Sequence, residues 1–104
     1  MGYSVGDRVG VVASIKDGIA EIFGYGVYMG ELVPEYEGDR GTMADFVKDL
    51  GRTNPTIKLD SGEMVYGCEC WWGSEEAVKN RLAQCKEVKI ISIAEYLKEA
   101  ETAN

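Results

Sequence analysis

Residues 67–73 read Gly-Cys-Glu-Cys-Trp-Trp-Gly and hold two of the chain's three cysteines and both its tryptophans. Clustered thiols can ligate a metal, exchange disulfides or act as nucleophiles. Cys68, Cys70 and Cys85 are spaced two and fifteen apart. Structural zinc takes four ligands, normally from two closely spaced pairs. The chain has no histidine. The nearest further donor, Glu69, would point away from both neighbouring cysteines on a strand. No metal and no cofactor is therefore expected, and the thiols read as small buried hydrophobes.

Redox and nucleophilic chemistry fare no better. Two cysteines one residue apart on an extended strand share a face, but their sulfurs lie too far apart for a relaxed disulfide. A bond from either to Cys85 needs the following helix to fold back on the strand. A thiol nucleophile needs a base, and histidine is missing. The glycine-rich run Gly24-Tyr25-Gly26-Val27-Tyr28-Met29-Gly30 has the wrong spacing for a dinucleotide fingerprint and leads into Glu31-Leu32-Val33-Pro34, not a helix. Glu31, Glu35, Glu37 and Asp39 crowd one loop without the ordered spacing of a calcium site. Nothing fixes two carboxylates in opposition for hydrolysis. No enzyme is expected.

The aromatic residues are more informative. On a strand, Tyr66, Cys68, Cys70 and Trp72 would share one face and Gly67, Glu69 and Trp71 the other. The first set is apolar and is expected in the core. The second contains a charge and a gap, so Trp71 and Glu69 are expected to face solvent or a partner, or Trp71 to be capped within the chain by the acidic loop or a short helix. An exposed tryptophan marks an interface or ligand surface. Tyr28 and Tyr36 are expected to extend that surface.

The elements that must position these residues follow from turn and capping signals. The chain has 104 residues, 13 of them glycine. That length predicts one domain, 1–104, with a modest core. Asp17-Gly18 predicts a hairpin between Asp7–Ile15 and the long run Ile19–Val33. In that run Phe23, Tyr25, Val27 and Met29 would share a face opposite Gly24, Gly26, Tyr28 and Gly30, and such a glycine stripe predicts strong bending. Pro34–Gly41 is an acidic loop. Thr42–Leu50 reads as an inserted helix, capped at Thr42, with Met43, Phe46, Val47 and Leu50 at helical spacing. A second hairpin turns at Asp60–Glu63. Ser74 caps a helix to Cys85 whose stripe is Val78, Leu82 and Cys85. Glu87–Ile93 is a β-branched run suited to a closing strand. A helix over Ala94–Ala103 ends the chain, fraying from Glu101. The expected class is α+β: a small antiparallel, strongly bent barrel of about five strands with two or three short helices.

Two resemblances attach to these residues. Val5-Gly6-Asp7-Arg8-Val9, a turn, a long bent strand and a tight hairpin resemble the SH3-like barrels over the N-terminal two-thirds. Asn54–Gly73, with Asn-Pro-x-Ile-x-Leu-Asp-x-Gly before the cysteine–tryptophan stretch, resembles small proteins carried by phages, integron cassettes and other mobile elements. That resemblance implies no catalytic residues.

Charge narrows the partners. Eleven basic against eighteen acidic residues leave −7, with an isoelectric point near 4.5, and the basic residues form no patch. Direct nucleic-acid binding is excluded on that ground. No apolar run is long enough to span a membrane. The first residues lack the apolar core of a signal peptide, and Met1-Gly2 with Gly6 in the place of a serine or threonine fits the myristoylation pattern poorly. A cytoplasmic location is expected. The expected function is a non-enzymatic binding module, homo-oligomeric with a dimer favoured. Its contacts would be Trp71, Glu69, Tyr28 and Tyr36 in a glycine-lined groove with an acidic rim. The alternatives are capture of a planar or cationic small molecule and inhibition of a DNA-binding factor by acidic mimicry.

Overall fold

A computed structural model describes residues 3–102, with the side chains of 99–102 left aside. Met1, Gly2, Ala103 and Asn104, which the readings of the termini included, lie outside the described residues. Strand β1 (Arg8–Lys16) and strand β2 (Ile19–Leu32) form the first hairpin. Asp17 and Gly18 both take positive φ, 54° and 79°, the backbone of a two-residue turn whose twist matches the flanking strands. Helix α1 (Met43–Asp49) follows the acidic loop, with the Thr42 hydroxyl accepting from the Ala44 amide. Strands β3 (Asn54–Leu59) and β4 (Met64–Tyr66) make the second hairpin. A 3-10 turn (Gly67–Glu69) leads into β5 (Trp71–Ser74). Then come α2 (Glu75–Leu82), β6 (Glu87–Ile90) and α3 (Ile93–Thr102).

The six strands form one sheet. Its antiparallel path is β4-β3-β2-β1-β5, and β6 joins the first part of β2 in parallel register. The Glu87–Ile90 run therefore extends the sheet and does not close it. Among the described residues no pairing joins β4 to β5, so the sheet is open and the α+β class stands without a closed barrel.

The bending comes from extra residues. Register slips place Phe23 of β2, Ala13 of β1 and Met29 of β2 without opposite partners. Gly24, at φ 120°, supplies the backbone one of these bulges needs. Each bulge also reverses the side-chain alternation beyond it. That overturns the expected grouping of Phe23 with Tyr25. Phe23 instead joins Tyr28, Val9, Val11, Ile57, Leu59, Val65 and Ile93 in one core cluster, and Tyr25 packs on the other. The second cluster, Val12, Ala20, Ile22, Val78 and Leu82, lies under α2. Gly10 permits this approach: a Cβ there would meet Val78 at 2.8 Å. Each large apolar side chain taken from water adds roughly 1.5–3 kcal/mol to folding.

Helix α1 differs from its expected role. Only Ala44 is buried. Met43, Phe46 and Leu50 face outward. Polar anchors hold the helix, as described below. No helix of the described residues is long and apolar enough to cross a membrane.

Candidate functional site

The four residues expected to form one surface lie in three places. Trp71 alone is exposed as strand parity predicts, 48% of its surface being open. Tyr28 is buried and stacks on Trp72, with ring centroids 5.5 Å apart and planes 13° from parallel. Tyr3 closes on Trp72 at 4.7 Å. Burial first, and then the Glu31 carboxylate, push the Tyr28 hydroxyl above its ordinary range. Tyr28 is thus a core ring.

Glu69 is the largest correction. The stretch 67–69 is not a strand, because it coils into a 3-10 turn. Gly67 fits there because a Cβ would meet the Trp72 indole nitrogen at 2.9 Å and Pro55 at 3.0 Å. Asn54 accepts the Cys68 amide at 2.9 Å. The Glu69 side chain folds inward and is 0% exposed. Its carboxylate accepts from Arg40 Nη1 at 2.8 Å, the Thr42 hydroxyl at 2.8 Å and the Tyr66 amide at 3.1 Å. A buried charge persists only when paired and hydrogen-bonded in this way.

Tyr36 belongs to the same network. Arg40 lies over the rings of Tyr36 and Tyr66, at 4.8 and 5.1 Å, and donates to the Met64 carbonyl at 3.1 Å. Lys48 donates to the carbonyls of Tyr36 and Gly38. The Tyr36 hydroxyl donates to Asp45, which also accepts the amides of Arg40 and Gly41. Burial, followed by the bond to Asp45, pushes the Tyr36 hydroxyl up. Burial pushes the Asp45 carboxyl up, but the Arg40 amide, the Tyr36 hydroxyl and the Gly41 amide outweigh it and leave the acid below its ordinary range. The acidic loop is thereby fastened to α1, β4 and the 3-10 turn. Two oddities in the sequence signal it: Arg40 is the lone cation of Pro34–Gly41, and Glu69 is the lone charge of an otherwise uncharged stretch.

The thiols do not converge. All three are free and partly buried. Burial, then the Glu69 charge, raises Cys68 and lifts Cys70 to about 12. A thiol held protonated is a poor nucleophile and ligand. Among the described residues, no three Cys, Asp or Glu side chains gather as a metal-binding group.

What remains at Trp71 is a groove of about 250 Å³ lined by Val12, Ala13, Ser14, Ile15, Trp71 and Arg81. The Arg81 guanidinium stands 5.7 Å from the Trp71 ring centroid. The charged residue that lines the groove at Trp71 is therefore a cation, and the Glu21 carboxylate stands beside it, accepting from the Ser14 hydroxyl at 3.3 Å. Glycines do not line the groove, and the space beside Gly26 is filled by the β3 backbone. β5 pairs with β1 from Val9 to Val12 and begins at Trp71. Beyond Val12, that edge of β1 has no strand partner among the described residues. An aromatic face, a cation and an open strand edge thus meet in one groove. A larger hollow of about 560 Å³, lined by Leu32, Val33, Glu35, Thr56, Met64 and Tyr66, lacks this combination. Its Tyr66 hydroxyl is committed to the backbone of Glu35.

No protein-family model matches the chain, and comparison with curated proteins and with solved structures returns no match.

Proposed function

We propose that the protein is a non-enzymatic interaction module that captures an extended segment of a partner protein in the Trp71 groove. The observation that carries the reading is the open edge of β1 beside a half-exposed tryptophan. Unpaired strand edges bind extended peptides by main-chain hydrogen bonds, and neighbouring pockets select side chains. Trp71 offers an apolar face to a side chain of the segment. Arg81 favours a carboxylate near it and opposes a cationic ligand. The three bulges support an SH3-like character for the bent sheet. The resemblance of Asn54–Gly73 to mobile-element proteins is the ground for reading the module as one of their accessory proteins.

Selection from a library of displayed extended peptides tests the reading. Segments that bind the protein, carry an acidic residue, and lose binding to Trp71→Ala and Arg81→Glu are expected. An enriched segment that binds both variants as well as the parent would overturn it, as would the absence of any enriched segment.

A further inference from the structure

The opposite side of the sheet carries a second open edge. All four residues of β6 are exposed, and among the described residues β6 pairs only with β2. Ile90, 76% exposed, is the most open large apolar side chain of the described residues, and Val88 is exposed beside it.

The hydrogen bonds to β2 fix which backbone groups remain free. The Glu87 amide reaches the Gly18 carbonyl at 3.3 Å, and the Ile91 amide reaches the Ile22 carbonyl at 2.8 Å. In a parallel ladder, alternate residues turn both N–H and C=O to the same neighbour. Glu87, Lys89 and Ile91 therefore face β2. Val88 and Ile90 direct their N–H and C=O groups outward, where a further strand would take them.

We propose that β6 is a dimer interface in which two copies join edge to edge, antiparallel, about a two-fold axis at Val88. In this register Val88 exchanges both backbone hydrogen bonds with Val88 of the second copy. Glu87 stands opposite Lys89 of the other chain on one face, twice by symmetry. Charge selects this register, since an axis at Lys89 sets two lysines opposite each other, which is destabilising. A C2 contact requires a self-complementary surface, and Glu87-Val88-Lys89 is one. The inference is independent of the peptide groove, which lies across β2 on the far edge of β1.

Sedimentation equilibrium of the purified protein, across concentrations up to about 1 mM for a contact this small, tests it with three kinds of variant. The parent is expected to dimerise. Val88→Pro removes an outward N–H and none of those that face β2, and is expected to be a monomer with an unchanged far-ultraviolet spectrum. Glu87→Lys and Lys89→Glu each set like charges opposite, and each is expected to weaken the dimer about tenfold at low salt. The double exchange Glu87→Lys/Lys89→Glu restores the complementary pairs and is expected to recover the parent's affinity, an outcome that misfolding cannot imitate. A parent that stays monomeric throughout would overturn the proposal. So would a Val88→Pro variant that dimerises like the parent, or a double exchange no better than the singles.

Discussion

Replacing Arg40 by methionine removes the sole charge partner, among the described residues, of a Glu69 carboxylate with no solvent exposure. Glu69 would keep the Thr42 hydroxyl and the Tyr66 amide but lose the 2.8 Å guanidinium contact. The variant also gives up the bond to the Met64 carbonyl and two ring contacts. Breaking a buried pair from one side costs about 3–5 kcal/mol, because the remaining charge stays uncompensated. With a urea slope of about 1.5 kcal/mol/M, a loss of about 3 kcal/mol lowers the midpoint by about 2 M. Glu69→Gln should cost less, about 1–2 kcal/mol, for two reasons. The amide keeps an acceptor for Thr42, and Arg40, whose side chain is 15% exposed, can turn its charge toward water. The double variant Arg40→Met/Glu69→Gln leaves no buried charge and should cost about 2 kcal/mol less than the sum of the single losses. Urea titration followed by tryptophan fluorescence measures all three. A cost below about 1 kcal/mol for Arg40→Met, the range of a surface pair, or strict additivity in the double variant would refute the reasoning.

Other consequences are as direct. Gly26→Ala would set a Cβ 2.2 Å from the Lys58 carbonyl oxygen and 2.7 Å from the Leu59 Cα, both backbone atoms. β2 and β3 would have to separate there, and thermal unfolding should register a loss of about 3 kcal/mol. Cys70, held near 12, carries roughly one thiolate in ten thousand at pH 8. It should resist a disulfide reagent in the native protein and react fully in denaturant, read by mass spectrometry of the labelled peptides. Asp45 titrates below its unfolded value, so its contribution is present above about pH 4 and is lost as pH falls further through the folded value. Asp45→Asn should be less stable than the parent at pH 7 and decline less steeply in acid.

Local chemistry was legible wherever neighbouring residues decide the outcome. Asp17-Gly18 turns the first hairpin, Thr42 and Ser74 cap their helices, and Asp60–Glu63 turns the second hairpin. Strand parity turned Trp71 away from the core but left open whether the chain itself covers it, which the structure answers with a half-exposed ring. Parity failed where the chain departs from a regular strand. Bulges at Phe23 and Met29 each flip the faces beyond them, and the coil at Gly67–Glu69 turns Glu69 inward. The Arg40–Glu69 pair spans 29 residues, so each lone charge stands out in its own stretch but no local pattern joins the two. The outward face of Met43, Phe46 and Leu50 was equally hidden, since helical spacing reveals an apolar stripe but not which way it points.

The central claim is that the Trp71 groove takes an extended segment along the open edge of β1. Amide spectra and hydrogen exchange of isotope-labelled protein, with and without a selected acidic peptide, test it most directly. Shifts confined to Val12–Lys16, the Trp71 indole and Arg81, with new protection among the Ala13–Lys16 amides, are the expected result. Shifts centred instead on Met43, Phe46 and Leu50, or on the Leu32–Tyr66 hollow, would contradict it.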